Sequence, residues 1–235
     1  MSNSSKILSF SVYGDDPKYT VGMKRNLELC PKIYGDDWKV RVYVDNSFPP
    51  NSIKEYKDLG AQVFDVTKAN ITGGMFWRFL PFIDESVDIF CVRDADSRLS
   101  KREKSAVDDW IHNNTSLHIM RDHPHHNYVI MGGMFGFNKI PNGNYLFAED
   151  YNRFTGDNYQ FKKMDDMIFL QSLYRIFNHS MTAHDSYSRG THDNNGAQFI
   201  ASANPFPLSR PTKKCAFIGE IFDENEVRGP QRDLL

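Results

Sequence analysis

The sequence predicts an α/β protein, a single domain built on a mainly parallel central sheet flanked by helices. Three observations carry this expectation. Short apolar runs rich in strand formers alternate with amphipathic segments through the first half of the chain, the pattern of strand–helix–strand units. Polar residues recur where those runs end, and in such sheets ligands bind beyond the carboxyl ends of the strands. No internal repeat or low-complexity linker divides the 235 residues, a length that suits one large domain.

The elements follow in order. Ile7 to Val12 (ILSFSV) reads as a strand, and Gly14-Asp15-Asp16-Pro17 as the turn after it. Tyr19 to Leu29 carries helical apolar spacing at Val21, Met23, Leu27 and Leu29. Lys39 to Val44 alternates as a strand does and ends at the turn signal Asp45-Asn46. Ser52, with Glu55 three residues on, has the form of a capping box opening a helix to Leu59, which Gly60 stops. Gln62 to Val66 is a third strand. Met75 to Phe82 is a short aromatic-rich helix broken near Pro81, and Ile89 to Val92 a fourth strand. Ser100 and Glu103 form a second capping box for a helix through Ile111. Leu117 to Met120 is a strand, Arg121 to Asn127 a histidine-rich loop, and Met131 to Phe137 an apolar stretch studded with glycine. Asp165 to Phe177 has the broad apolar face of a helix, and Met181-Thr182-Ala183 leads to His184-Asp185-Ser186. The tail from Pro205 reads as loop with a short strand at Cys215 to Ile218.

Bulk composition excludes several classes. The net charge of −2 implies no broad basic surface, which argues against a nucleic-acid polymer as partner. Cys30, Cys91 and Cys215 are odd in number and widely spaced, as expected of reduced thiols rather than a disulfide framework or a zinc site. The N-terminal Met-Ser-Asn-Ser-Ser-Lys lacks a signal-peptide apolar region and no run approaches a membrane span, so a cytoplasmic protein is expected.

The stretch of greatest chemical interest is Arg93-Asp94-Ala95-Asp96-Ser97-Arg98, at the end of the fourth strand. In extended backbone, residues two apart point to one side, so Asp94 and Asp96 can reach a common point. A hard divalent cation shared with a substrate's phosphates would suit them. The bland alternative is a solvated turn, since Asp-x-Asp is common by chance. The strand-end position and the flanking arginines, good phosphate ligands, favour the cation.

This segment resembles the Asp-x-Asp signature of GT-A-fold glycosyltransferases, and more of the chain agrees. Ser11-Val12-Tyr13-Gly14 with Lys18-Tyr19 resembles the nucleotide-facing first loop and helix, Tyr43-Val44-Asp45 the second strand, and Met75-Phe76-Trp77-Arg78-Phe79 the helix before the signature. Arg121-Asp122-His123-Pro124 followed by Gly132-Gly133-Met134-Phe135-Gly136 looks like the acceptor-side segment of small viral and bacterial sugar transferases. Asp166-Met167-Ile168-Phe169-Leu170 resembles that group's Asp-Gln-x-Phe-Leu helix start, with Met167 in place of the usual glutamine. His184-Asp185-Ser186 resembles its late metal-ligand histidine, and Phe217-Ile218-Gly219-Glu220 its C-terminal end. The likeness spans roughly residues 7 to 225, and its weight lies in the order and spacing of the motifs.

The resemblance implies a Rossmann-like GT-A domain over residues 1–235, with a nucleotide-binding half to about residue 100 and an acceptor-side half after it. It implies transfer of a sugar from a nucleotide-sugar donor, a UDP-sugar on family frequency, to a hydroxyl acceptor, with Mn²⁺ or Mg²⁺ as cofactor. It places Asp94, Asp96 and His184 on the metal, Asp94 also near the ribose. His184 is otherwise an ordinary core or surface histidine. Ser11, Tyr13, Tyr19 and Asp45 fall to the nucleotide, although Tyr19 would serve equally in helix packing. Arg78 and Arg93 fall to the phosphates or donor sugar, or to structural ion pairs. Gly132 and Gly133 let backbone pass close to a ligand or make a bend. Asp166 falls to the donor sugar, and Asp122 or Asp166 to the base of an inverting reaction. In a retaining reaction the leaving phosphate takes the proton, so the stereochemistry stays open.

Two other classes compete. A nucleotidyltransferase should show an early glycine-rich phosphate loop, but the first loop here is acidic; haloacid-type phosphatases resemble Asp-x-Asp on the first strand, not the fourth. A non-catalytic nucleotide- or sugar-binding protein would lose part of the metal set.

Overall fold

Alternation along the strands decides which layer each side chain joins. The computed structural model of the chain describes residues 5–69, 73–138, 162, 164–186, 203–210 and 216–228. Its elements are β1 (Lys6–Ser11), α1 (Pro17–Ile33), β2 (Trp38–Val44), α2 (Pro50–Asp58), β3 (Gln62–Asp65), α3 (Gly74–Trp77), a 3₁₀ turn (Leu80–Ile83), β4 (Ile89–Arg93), α4 (Lys101–Asn113), β5 (Leu117–Arg121), β6 (Met134–Asn138), α5 (Asp165–Phe177) and β7 (Met181–Asp185). The strands form one seven-stranded sheet in the order β3-β2-β1-β4-β6-β5-β7. Every pairing is parallel except the two made by β6, which runs against β4 and β5.

Leu8, Phe10 and Val12 point to one face of the sheet, where Met23 and Leu27 of α1 and Val107 and Trp110 of α4 cover them. Ile7 points to the other, into a phenylalanine-rich cluster that includes Phe76, Phe79, Phe135 and Phe169. The result is a three-layer sandwich with a core on each side of the sheet. Gly136 belongs to the α4 face: a Cβ there would crowd Cys91 Sγ and the Trp110 ring, both at 3.0 Å. Cys30 and Cys91 are buried free thiols, and burial pushes them up to about 11 and about 12. No helix among the described residues is long and apolar enough to cross a membrane.

Several local expectations are corrected. Helix α2 starts at Pro50, behind Pro49, without a side-chain cap. Proline at the first helical position needs no N–H partner, and the Glu55 carboxylate instead meets Lys24 of α1. At α4 the Ser100 hydroxyl accepts from the Glu103 N–H at 3.2 Å, as a capping box requires. The Glu103 carboxylate, however, turns away to Arg93 Nε at 2.9 Å and the Tyr34 hydroxyl at 2.6 Å. The expected strand at Cys215 to Ile218 is not formed over its described part, 216–218 (Cys215 lies outside the described residues). The N–H of Ile218 goes to a carboxylate, and it is Asn204 that bridges to β7 at His184.

The Arg93–Glu103 pair is 2% exposed on both sides. Removing one member of such a pair strands a buried charge, which costs about 3–5 kcal/mol. We expect Glu103→Ala to lower the unfolding free energy by about that amount in urea titrations, and Lys54→Ala, in an exposed helix pair with Asp58, by under about 0.5 kcal/mol.

Candidate active site

At the carboxyl edge of β1 and β4 the chain must leave the sheet, and the reversed β6 begins at the same edge, with Met134 beside Arg93. These ends open a cleft of about 380 Å³ whose lining includes Ser11, Tyr13, Tyr19, Arg78, Asp94, Asp96, Gly133 and Asp166.

Arg78 organises it. Its backbone is held on β1 from both sides: its N–H donates to Ser11 Oγ at 2.8 Å, and its carbonyl accepts from Ser9 Oγ at 2.7 Å. Its guanidinium forks, one nitrogen to Asp94 Oδ1 and the other to Asp166 Oδ2 at 2.9 Å. The next residue, Phe79, stacks on Phe169 with centroids 5.7 Å apart. Because Phe169 lies one helical turn after Asp166, the apolar stack and the polar fork are set by the same docking of α5. Burial pushes Asp166 above the usual carboxylate range and Asp94 adds to this, while Arg78 pulls it back.

Asp96 is the second pole. Burial first, then the Asp94 carboxylate, raises it, against the pull of Lys18. The Lys18 ammonium lies 3.1 Å from Asp96 Oδ2 and 4.2 Å from the centroid of the Tyr19 ring. Helix α1 grips the loop behind: Asn26 donates to the Ser97 carbonyl at 2.8 Å and accepts from the Leu99 N–H at 3.0 Å.

Two glycines admit these carboxylates. A Cβ at Gly133 would overlap Asp94 Oδ2, and one at Gly132 would overlap Asp166 Oδ2. Tyr13 is held edge-on to Trp77 at 5.8 Å and against Gly74, yet is 47% exposed.

Four residues expected at the site are placed elsewhere. Arg93 follows Val92 in β4 and so points to the opposite face, where Glu103 binds it. It forms a buried ion pair and does not line the cleft. His184 likewise points to the α4 side from β7. It is 1% exposed, with Nδ1 3.1 Å from His118 Nε2 and Nε2 3.2 Å from Asp109 Oδ2. Burial lowers its pKa against the pull of Asp109, and it does not line the cleft. Asp45 accepts from the N–H of Ser47 at 3.0 Å in a local turn. Asp122 is fully buried and satisfied by Arg102, Ser186 and the Ile218 N–H. Burial alone would raise it, yet these bonds outweigh burial and hold it low. It ties β5 to α4 and does not line the cleft. Among the described residues no three His, Cys, Asp or Glu side chains converge as a metal site.

The contacts of Lys18 and Arg102 carry no local signal, since Arg102 meets Asp122 across 20 residues; the close approach at Gly132 was legible, but its neighbour Asp166 comes only through the fold. The Lys18–Asp96 pair had no sequence signal beyond Lys18's place in the first helix.

A carboxylate held below its unfolded value of about 3.9 stabilises the fold above that pH, and the contribution disappears as pH falls through the folded value. Asp122→Asn should therefore cost about 3 kcal/mol at pH 7, and urea titrations should show the difference from wild type shrinking below about pH 4. A difference that does not vary with pH would contradict the assignment.

No family model and no curated protein sequence matches the chain. Solved structures do. A mannosyltransferase from Pyrobaculum calidifontis, in complex with GDP-Man and Mn²⁺, superposes with a TM-score of 0.50 at 14% identity over 74% of this chain. This chain spans about half of that protein, 52% of its length. A galactosyltransferase, LgtC, in complex with donor and acceptor sugar analogs, gives a TM-score of 0.47 at 13% identity, covering 77% of this chain and 73% of that one. With a mostly parallel sheet, one reversed strand and helices on both faces, the fold is of the GT-A, Rossmann-like type.

Proposed function

We propose that the protein is a metal-dependent glycosyltransferase that moves a sugar from a nucleoside diphosphate sugar, a UDP-sugar in the reading we favour, to a hydroxyl acceptor. The observation that carries this is the meeting of Asp94, Asp96 and Asp166 with Arg78 in one cleft at the carboxyl edge of the sheet, with Lys18 paired to Asp96 beside it.

The donor set fits a hard divalent cation. Two carboxylates two residues apart line the cleft, and Asp96 is raised by burial and by Asp94, a charge excess that a cation relieves. Asp94 and Asp96 would hold Mn²⁺ or Mg²⁺, with substrate phosphates and water completing the shell. When bound, the cation stabilises the charge that builds on the departing diphosphate.

The chain's own residues supply the rest. Arg78 fixes Asp94 and Asp166 in one orientation, so the cleft needs little rearrangement when substrate arrives. Tyr13 and Tyr19 offer aromatic faces to the base. Asp166, held at the first turn of α5, takes hydroxyls of the donor sugar beside the reacting carbon. With Asp122 fully engaged, the acceptor's proton passes to Asp166 or to the leaving phosphate. Asp166, raised by burial, suits the first route.

Thermal unfolding with UDP, GDP, CDP or ADP, each with and without Mn²⁺, tests this. One nucleotide at about a hundred times its dissociation constant should add about 2.7 kcal/mol in the presence of Mn²⁺, and Asp96→Asn should abolish the gain. If no nucleotide stabilises under either condition, the proposal fails. Gly133→Ala, which must push Asp94 aside, should weaken the Mn²⁺-dependent nucleotide affinity about 10–100-fold, as displaced support of a metal ligand does, while the urea midpoint reports a loss of no more than about 1–3 kcal/mol.

A further inference from the structure

We infer that Lys18 is an internal stand-in for the divalent cation, one that leaves Asp96 when the cation enters and transfers to the diphosphate. The inference rests on the glycosyltransferase reading and deepens it.

The two cations paired with the cleft's carboxylates differ in how they are held. Arg78 is 8% exposed, pinned through its backbone to two serines and through its side chain to two carboxylates. It has no alternative position that would not strand Asp94 and Asp166. The Lys18 side chain is 29% exposed, and its ammonium meets one carboxylate, that of Asp96, and the Tyr19 ring at 4.2 Å. Its backbone is fixed, because Gly22 of the same helix lies against the Ala95 carbonyl and Asn26 binds Ser97 and Leu99. The freedom therefore lies in the lysine's flexible four-carbon stem, anchored one turn before the helix face that grips the Asp94–Asp96 loop.

Charge supplies the driving force. Three carboxylates meet two side-chain cations here, so the cleft carries excess negative charge. A divalent ion at Asp96 reverses that excess, and an ammonium left beside it is repelled. A diphosphate brings the negative charge that restores balance and offers the ammonium new acceptors. Lys18 thus opposes the bare ion and favours the ion together with its diphosphate, which couples the two ligands.

Two affinities of opposite sign test this. The affinity for Mn²⁺ alone is read from the electron paramagnetic resonance of the free ion. UDP and GDP are then titrated calorimetrically at saturating Mn²⁺. Lys18→Met keeps the stem and removes the charge. It should tighten Mn²⁺ alone about two- to fivefold, the worth of a partly exposed ion pair, and weaken the nucleotide about tenfold, the worth of a charged hydrogen bond. Lys18→Arg should return both values toward wild type, and the midpoint of unfolding without ligands reports whether either variant folds. Any other pattern overturns the inference: both affinities falling together, neither changing, or only one changing. Wild-type protein that binds neither Mn²⁺ nor nucleotide refutes the glycosyltransferase reading itself, and this inference with it.

Discussion

The cleft depends on one guanidinium. Arg78 stands where three separate pieces of chain must meet: the end of β1, the loop after β4 and the first turn of α5. A buried arginine is tolerated only when its charge is compensated, and here two carboxylates from distant positions do so. That demand fixes much else. Serines replace apolar residues at positions 9 and 11 of β1 because the Arg78 backbone needs partners there. Glycines occupy 132 and 133 because the compensated carboxylates fill the space a side chain would take. The Phe79–Phe169 stack brings α5 down at the height at which Asp166 reaches the fork.

A second set of polar groups lies on the opposite side of the sheet and has other work. Arg93, Glu103 and Tyr34 form one buried network, while His118, His184 and Asp109 form another beneath Trp110. Asp122 with Arg102 ties the end of β5 to α4 and to the segment at Ile218. These groups secure α4 and the C-terminal segment on the sheet. The cleft groups carry net charge and face a cavity. Burial is common to both sets, so burial alone does not mark the chemistry; an opening beside uncompensated charge does.

Much of this was legible in the sequence where the signal is local. Strand–helix alternation gave the layers, and the helix 165–177 was bounded correctly because its apolar face and acidic first turn agree. Asp94 and Asp96 stood out by their place at a strand end, although the segment is a turn rather than the extended backbone expected, with the Ser97 N–H donating to the Asp94 carbonyl at 3.3 Å. Arg93 and His184 misled for the reason that made Asp94 readable: a strand alternates, so a residue one position away serves the other layer. Asp122 sits in a polar loop that reads as a ligand site, and only its partner Arg102, brought near by α4, turns it into an anchor. The capping box at Ser52 yielded to two prolines, whose fixed backbone starts a helix without a side-chain cap.

Turnover of a nucleotide sugar in the acidic cleft is what separates a transferase from a binding protein. The most direct measurement is chromatography of UDP-glucose, UDP-galactose and GDP-mannose incubated with the protein, with Mn²⁺ or with chelator, and with Asp166→Asn as the comparison. One donor should release its nucleoside diphosphate in the presence of Mn²⁺, chelator should stop the release, and Asp166→Asn should slow it. Nucleotide binding by wild-type protein without release of diphosphate from any donor would contradict the transferase reading, and would leave a binding protein on a glycosyltransferase fold.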